Sequence, residues 1–356
     1  MTPDLSVRIG NVVLKNPVMP ASGTFGPEMA KAFALDRLGA LVTKSVTPEP
    51  RIGNPLPRIA ETEGGILNSI GIPGKGLDAF IAKAMPEWRS FGAPVVVSLS
   101  APSVAAFAEA CARLDDVPGI TAIEGNISCP NLEEDGRAFA VAPEPAAAAT
   151  AAMRRATRLP LWIKLSPNTG DIAAVARAVE DAGADAVVAV NTILGLAIDI
   201  EARRPRLGNV MGGFSGPGFK PIALRMVWQC AHAVRLPVIG CGGIATAEDA
   251  IEFLMAGAAA VQVGTATFVS PNAMPRVIEG LSEWCARRGV ACASDLIGAA
   301  LPARPVPNAA APDAEGIAAA PDTEGIAAAP DAEGIAAAPD AEGIAAAPDA
   351  EGIAAE

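Results

Sequence analysis

The sequence predicts a (β/α)8 barrel with a small N-terminal β-hairpin and a disordered C-terminal repeat tail. Two observations predict the barrel. Short runs rich in valine and isoleucine alternate with alanine-rich helical patterns over about 300 residues, which is typical of α/β domains with eight such units. The strand runs are also apolar throughout, as in parallel strands that are covered on both faces. An open, doubly wound sheet is the alternative fold.

The elements can be assigned in order along the chain. Residues 5–17, LSVRIGNVVLKNP, predict the hairpin, placed to plug the lower end of the barrel. The predicted strands cover residues 16–22, 40–45, 94–100, 121–128, 160–166, 186–192, 237–243 and 260–266. The predicted helices cover residues 29–39, 103–114, 145–157, 171–183, 220–234, 246–257 and 275–289.

The C-terminal segment carries a nine-residue repeat, PDAEGIAAA, that starts at Pro312. One isoleucine per repeat buries too little apolar surface to offset the entropy of ordering. We therefore predict a folded domain over residues 1–302 and a disordered acidic tail over residues 303–356. The tail holds 11 of the 39 acidic residues, so the rest of the chain is near −1 although the net charge is −12. That balance gives the folded part no basic surface for nucleic acid.

The six cysteines match neither a disulfide framework nor a metal site, and no CxxC pair occurs. The N-terminus has neither the basic flank nor the apolar core of a signal peptide. No uncharged apolar run is long enough to span a bilayer. The sequence thus predicts a cytoplasmic protein with no metal site and no membrane segment.

Polar residues and glycines stand at the same end of nearly every predicted strand. They are Ser22, Lys44, Ser45, Ser98, Asn126, Cys129, Lys164, Asn191, Thr192, Gly242, Gly243, Gly264 and Thr265. The loop after the second strand, LNSIGIPGKG, adds Asn68. Because barrel enzymes carry their chemistry at the C-terminal ends of the strands, these residues predict a single site.

Two of the seven lysines, Lys44 and Lys164, lie inside apolar strand segments. A buried, unpaired ammonium group is costly, so each is predicted to face an anion in the barrel mouth. A core carboxylate is the alternative partner for both. The glycine-bearing ends of strands seven and eight, GCGGIA and VQVGTA, predict a phosphate site built from backbone N–H groups. These residues do not identify the molecule that carries the phosphate.

The motif NISCPN places Cys129 between two asparagines on the loop after the fourth strand. His232 is the only histidine and falls in a helical pattern, and the chain has no tyrosine. A group that removes a proton at the barrel mouth must then be a cysteine, a lysine or a carboxylate, and Cys129 stands on the best-placed loop. Cys241 is near the site but is predicted to pack in the core.

Ten motifs resemble dihydroorotate dehydrogenase, class 1, subtype B, in the same order from about residue 5 to residue 300. They are NPVMPASGTFG, LVTKSVT, GNPLPRIAET, LNSIGIPGKG, NISCPN, IKLSPN, NTILG, GGFSGPGFKPIALRMV, GCGGIATAEDA and VQVGTA. Cysteine at the base position separates the chain from class 2, whose members carry serine there. Two departures from the family pattern are Ser98, where relatives often have asparagine, and the loop sequence GIPGKG.

The resemblance implies FMN as the cofactor and dihydroorotate or orotate as the ligand. The implied FMN-binding residues are Ser22, Lys44, Ser45, Ser98, Asn126, Lys164, Val190, Gly216, Gly242, Gly243, Gly264 and Thr265. The implied substrate-binding residues are Lys44, Asn68, Ser69, Ile70, Gly71, Ile72, Asn126, Asn131, Asn191 and Thr192. The implied catalytic residues are Cys129 as the base, Lys44 and Lys164.

The reaction that the resemblance implies is oxidation of dihydroorotate to orotate in pyrimidine biosynthesis. Subtype B relatives pass the electrons to NAD through a second subunit that carries FAD and an iron–sulfur cluster. The resemblance therefore implies a homodimer of this chain within a heterotetramer of two of each subunit. A pyrimidine reductase of the dihydropyrimidine dehydrogenase type and a catalytically silent flavin-binding barrel are the alternatives.

Overall fold

The computed structural model describes residues 2–128 and 139–302. Eight parallel strands form one sheet, and we number them as barrel strands one to eight. They are Val18–Pro20, Leu41–Val42, Val95–Leu99, Ile120–Asn126, Leu161–Lys164, Ala186–Ala189, Val238–Cys241 and Ala258–Val263. Each strand pairs with the next along the chain from two to eight, and strand eight pairs with strand one. The predicted barrel and all eight of its strands are confirmed.

The ring between strands one and two is completed by one backbone hydrogen bond. The amide of Gly39, just before strand two, donates to the carbonyl of Val18 in strand one at 2.9 Å. Closure removes the unpaired strand edges that an open sheet would leave. It also brings the C-terminal ends of all eight strands to one mouth, where a barrel carries its site.

The predicted hairpin is present as two antiparallel strands, Val7–Ile9 and Val12–Leu14. Ile9 and Leu14 are fully buried and belong to the same apolar cluster as Trp162 and Ile239 of the barrel strands. Alternating burial along each short strand explains this, because successive side chains point to opposite faces. The hairpin therefore plugs the barrel, as predicted.

Helices cover the outside of the barrel and pack on a second, larger apolar cluster. The α-helices are Gly76–Ala79, Met85–Ser90, Val104–Asp115, Pro143–Ala156, Ile172–Asp181, Lys220–Ala233, Ala247–Met255, Ala266–Val269 and Ala273–Arg288. Six of the seven predicted helices are among them, with ends shifted by a few residues.

The helix predicted over residues 29–39 is wrong. Two short 3₁₀ turns, Pro27–Lys31 and Leu35–Arg37, stand there instead. Phe33 and Leu35 are both buried, whereas residues two apart lie on different faces of an α-helix. Two separate turns let both side chains reach the core.

A helical segment between strands two and three was not predicted from the sequence. It runs from Gly76 to Ser90, and its middle turn, Phe80–Ala84, is a π-helix. Pro86 masks it in the sequence, because proline lacks an N–H group and its ring crowds the preceding turn. The wider π turn just before Pro86 keeps the segment helical around it.

A four-stranded antiparallel sheet stands at the barrel mouth and was not predicted. Its strands, in spatial order, are Ile193–Gly195, Gly212–Ser215, Gly65–Asn68 and Ile59–Thr62. A separate two-stranded ribbon pairs Ile198–Asp199 with Arg204–Pro205. The four-stranded sheet joins the loop after strand two to the loop after strand six, and so it fixes Asn68 opposite Gly213.

Two predictions fall on residues outside the described ranges. The tail, residues 303–356, stays a prediction, as does the placement of Cys129 and Asn131. Among the described residues, no helix is both long and apolar enough to cross a membrane.

Candidate active site

A cavity of about 560 Å³ lies at the C-terminal ends of the barrel strands, which is within the usual range for small-molecule sites. Most predicted site residues line it: Ser22, Lys44, Ser45, Asn68, Ser69, Ile70, Gly71, Ile72, Asn126, Lys164, Val190, Asn191, Thr192, Gly242, Gly243, Gly264 and Thr265. The structure thus brings together side chains from strands one, two, four, five, six, seven and eight at one place.

Two predicted cofactor residues do not line the cavity. Ser98 is fully buried behind it, and its hydroxyl lies 2.9 Å from that of Ser45. Serine is too short to pass Ser45 and reach the cavity. Gly216 lies beside the lining residue Ser215 and has φ of +117°, and a Cβ there would come within 2.7 Å of Gly65 Cα. Its part is to let two backbones approach closely, a role that glycine alone fills at such φ.

Ser45 is the centre of a hydroxyl cluster. Its Oγ lies 3.1 Å from Ser22 Oγ and 2.9 Å from Ser98 Oγ, and it accepts a hydrogen bond of 3.0 Å from Asn126 Nδ2. Each hydroxyl can both donate and accept, so the cluster satisfies its own members and fixes the rotamer of Asn126. Strands one, two, three and four are linked through it.

A second chain of hydrogen bonds crosses from strand four to strand six. Ser128 Oγ donates to Asn126 Oδ1 at 2.8 Å, and Asn191 Nδ2 donates to Ser128 Oγ at 2.8 Å. Asn191 Oδ1 in turn accepts from the Thr192 amide at 2.8 Å. Ser128 also lines the cavity and was not predicted as a site residue, although it lies within the NISCPN motif.

Asn168 is a further lining residue that the sequence reasoning missed. Its side chain donates to the Thr192 carbonyl at 3.2 Å and accepts from the Leu194 amide at 2.8 Å. It therefore holds the start of the mouth sheet by both of its polar atoms. The signal was present in the sequence, since Asn168 ends the quoted motif IKLSPN.

Lys44 lies just beyond the short strand Leu41–Val42 and remains accessible to solvent at the cavity wall, so the prediction that it is buried inside a strand is wrong. Its Nζ donates to the Pro73 carbonyl at 2.7 Å. Partial burial at the cavity wall, together with repulsion from Arg58, lowers the pKa of Lys44. No carboxylate forms an ion pair with Lys44 among the described residues, and its pairing with an anionic ligand stays a prediction.

Lys164 is buried at the floor of the cavity and lies near a core carboxylate, the alternative partner stated above. Its Nζ donates to Gln262 Oε1 at 2.7 Å, lies 3.5 Å from Cys241 Sγ and is 4.0 Å from Glu124 Oε1. Burial opposes the charge, but Cys241 and the Glu124 carboxylate outweigh it and raise the pKa of Lys164. Cys241 is buried as predicted, yet it also lines the cavity.

The ends of strands seven and eight form the predicted glycine cradle. Gly242 and Gly243 have φ of +135° and +76°, values that side chains rarely tolerate. A Cβ on Gly243 would lie 2.7 Å from the Lys220 backbone. Thr265 Oγ1 donates to Ser215 Oγ at 2.9 Å and so ties strand eight to the mouth sheet. Backbone turns of this kind, without side chains, suit a phosphate group.

The chain is similar to a large set of proteins of one family. The family model described as dihydroorotate dehydrogenase matches residues 4–284. A protein of Trichlorobacter lovleyi named dihydroorotate dehydrogenase B (NAD(+)), catalytic subunit, is 52% identical over 301 residues, which is 84% of this chain and 99% of that protein. A protein of the same name from Pelobacter propionicus is 48% identical over 301 residues, with the same coverage of both chains.

A solved structure agrees on the fold. The crystal structure of DHODH in complex with ferulenol from Eimeria tenella matches with a TM-score of 0.70 at 23% identity, over 83% of this chain and 88% of that one. Its identity is too low to carry more than the barrel architecture. The family model and the relatives confirm the predicted resemblance, and the chain belongs to the dihydroorotate dehydrogenase family.

Proposed function

We propose that this chain oxidises dihydroorotate to orotate in pyrimidine biosynthesis, with FMN in the cavity at the barrel mouth. One observation carries the proposal: a buried lysine, a glycine cradle and an amide-rich wall converge on one cavity large enough for a flavin ring with a pyrimidine against it. Family membership implies a flavin cofactor, and the identity of that flavin as FMN is part of the proposal.

The residues present fit FMN. The phosphate would lie at Gly242, Gly243, Gly264 and Thr265, where glycine leaves the backbone open. The ring system would lie between the strand ends that carry Ser22, Lys44, Ser45, Asn126, Lys164 and Val190. Bound there, FMN would supply the hydride acceptor for C6 of dihydroorotate. Lys164 places a positive charge at the cavity floor, where negative charge accumulates during the reaction.

The chain's own residues would bind the pyrimidine and remove its proton. Side-chain amides of Asn68, Asn126 and Asn191 can donate to the carbonyls and carboxylate of the substrate. Lys44 adds a cation for the carboxylate. Cys129 is the proposed base for the proton at C5, and an unperturbed thiol has a pKa near 8.5, close enough to neutral pH for that role.

The proposal includes a partner. The curated relatives are named as the catalytic subunit of an NAD(+) enzyme, and a catalytic subunit implies a second one. We propose a homodimer of this chain within a heterotetramer, in the cytoplasm, whose other subunit holds FAD and an iron–sulfur cluster and delivers electrons to NAD.

An anaerobic titration tests the activity directly. The purified chain is loaded with FMN, and dihydroorotate is added while the flavin absorbance is followed. We expect stoichiometric loss of the oxidised flavin spectrum. Dihydrouracil, which lacks the carboxylate, serves as the matched control and should leave the spectrum unchanged. Reduction by dihydrouracil alone would favour a pyrimidine reductase instead, and a flavin that neither compound reduces would overturn the proposal.

A further inference from the structure

Two polar side chains lie beneath the cavity, inside the barrel. Glu124 on strand four and Gln262 on strand eight are each fully buried, with no exposed surface. Neither is among the residues that line the cavity, whereas Lys164 on strand five is. A layer of polar side chains thus stands between the apolar barrel core and the proposed flavin ring. Burying such groups is costly unless they satisfy one another.

Gln262 joins the other two members of this layer. Its Nε2 donates to Glu124 Oε2 at 2.5 Å, and its Oε1 accepts from Lys164 Nζ at 2.7 Å. The amide is therefore oriented by both neighbours, because swapping its oxygen and nitrogen would place donor against donor and acceptor against acceptor. The two hydrogen bonds therefore run in one direction, from the Lys164 ammonium through the Gln262 amide to the Glu124 carboxylate.

Glu124 has one oxygen left over. Its Oε1 is buried and has no hydrogen-bond partner among the described residues. It lies 4.0 Å from Lys164 Nζ. A carboxylate at that separation stabilises an ammonium ion strongly in a buried setting. Other groups beside Lys164 are the Cys241 thiol from strand seven, the uncharged Asn126 of strand four and the apolar Val188 of strand six, the last two pairing with Lys164 in register. Within the described residues, Glu124 is thus the carboxylate that pairs with Lys164.

We propose that Glu124 and Gln262 are positioning residues that hold Lys164 as a cation with its ammonium group directed at the cofactor face of the cavity. This deepens the proposed function, on which it rests. Gln262 takes one of the three N–H donors of Lys164, which fixes the direction of the side chain. Glu124 supplies the negative charge that keeps the Lys164 ammonium protonated, whereas burial alone would favour the neutral amine. Neither residue touches the substrate.

The inference is tested by titrating the lysines of the FMN-loaded chain, labelled with ¹³C at the lysine Cε, by NMR. With seven lysines in the sequence, the Lys164 signal can be assigned from a Lys164→Met sample. We expect wild-type Lys164 to stay charged through neutral pH. In Glu124→Gln its pKa should fall by about 1 to 3 pH units, the usual effect of a close opposite charge.

A second variant and a matched control separate positioning from stability. Gln262→Met should lower the Lys164 pKa less than Glu124→Gln does, because the carboxylate remains. Asp185→Asn removes a carboxylate from another ion pair, with Arg154 Nη1 at 2.7 Å, just before strand six at the opposite end of the barrel. It should destabilise the fold without moving the Lys164 signal.

The wild-type titration alone can overturn the inference, so the inference remains testable even if a variant fails to fold. A neutral Lys164 at pH 7 in the wild type would contradict it, as would a Lys164 pKa that Glu124→Gln leaves unchanged. Because the titration requires no dihydroorotate, a chain that proved inactive on that substrate would still give a readable answer.

Discussion

Short hydroxyl side chains govern the placement of larger polar groups in this site. Ser98 is the clearest case, because family relatives often carry asparagine there and serine cannot reach the cavity. It acts through Ser45, whose hydroxyl also touches Ser22 and accepts from Asn126. Ser98 therefore does not contact the cavity directly, but it forms a hydrogen bond with Ser45, which does line the cavity.

We expect Ser98→Ala to weaken FMN binding modestly. Removing one partner of a buried hydroxyl costs about 1 kcal/mol, which corresponds to a factor of roughly five in the dissociation constant. Fluorescence titration of the apoprotein with FMN measures it. Ser90→Ala, at an exposed hydroxyl bonded to the Glu87 carbonyl, is the control and should bind as the wild type does. Equal binding by both variants would show that the Ser45 cluster does not depend on Ser98.

We expect Cys129→Ala to keep its flavin and to lose proton abstraction. Loss of a general base costs about 10² to 10⁴ in rate, and wild-type flavin reduction should quicken as pH rises toward the thiol pKa. Stopped-flow reduction by dihydroorotate measures both. Cys292→Ala, at a partly exposed cysteine remote in sequence, is the control. An alanine variant that reduces its flavin at close to wild-type speed would remove Cys129 from its role.

Among the elements, the loop after strand seven leaves little room for a side chain at Gly243. Gly243→Ala would place a Cβ 2.7 Å from the Lys220 backbone at φ of +76°. We expect it to weaken FMN binding at least tenfold and to lower the melting temperature. Gly289→Ala is a matched control, since Gly289 has φ of +68° with nothing within 4 Å. It should show only the strain of a left-handed residue, about 1–2 kcal/mol. Unchanged flavin binding in Gly243→Ala would contradict the cradle.

The helix that follows this loop begins at an ion pair whose strength depends on pH. Asp249 accepts from Lys220 Nζ at 2.7 Å and from the Ala245 and Thr246 amides at 2.9 Å each. Burial opposes its charge, but Lys220 and the two amides outweigh burial and lower the pKa of Asp249. A lowered folded-state pKa stabilises the protein above the unfolded value and ceases to do so as pH falls through the folded value.

Asp249→Asn should therefore be less stable than the wild type at pH 7, by about 1–2 kcal/mol, the worth of hydrogen bonds to a charged group. The gap should narrow as pH falls below about 4, the usual pKa of an aspartate in the unfolded chain, and should close once the pH is below the lower pKa of the folded-state carboxylate. Urea unfolding at several pH values measures it. Glu248→Gln changes the exposed neighbour and should show no such trend. A gap that stays constant down to acid pH would contradict the assignment.

The elements also show where sequence reasoning succeeds and where it fails. Strands that are buried on both faces are recognisable in the sequence as continuous apolar runs, so all eight barrel strands could be predicted. The mouth sheet was not, because strands such as Gly212–Ser215 are glycine-rich and partly exposed, and their pairing with Gly65–Asn68 spans well over a hundred residues. Glu124 and Gln262 were missed for a related reason: a polar residue inside an apolar strand reveals nothing of its partner on another strand.

At the scale of the whole molecule, the electrons removed from dihydroorotate need an acceptor beyond the flavin. The sequence shows no GxGxxG opening a strand–helix unit and no cysteine spacing suited to an iron–sulfur cluster. The relatives named as catalytic subunits of an NAD(+) enzyme are matched over 99% of their length. The chain is thus similar to the catalytic subunit of such an enzyme.

We expect the purified chain to reduce an artificial dye with dihydroorotate as donor, and to reduce NAD hardly at all. The reason is spatial as well as chemical, because a flavin that is held within a 560 Å³ cavity shared with substrate leaves little room for a dinucleotide beside it. Steady-state assays with each acceptor measure the ratio. Adding the electron-transfer subunit should restore NAD reduction without changing the dye rate, and light scattering should show the two chains in equal numbers. Rapid NAD reduction by the single chain would place the acceptor site here and remove the need for a partner.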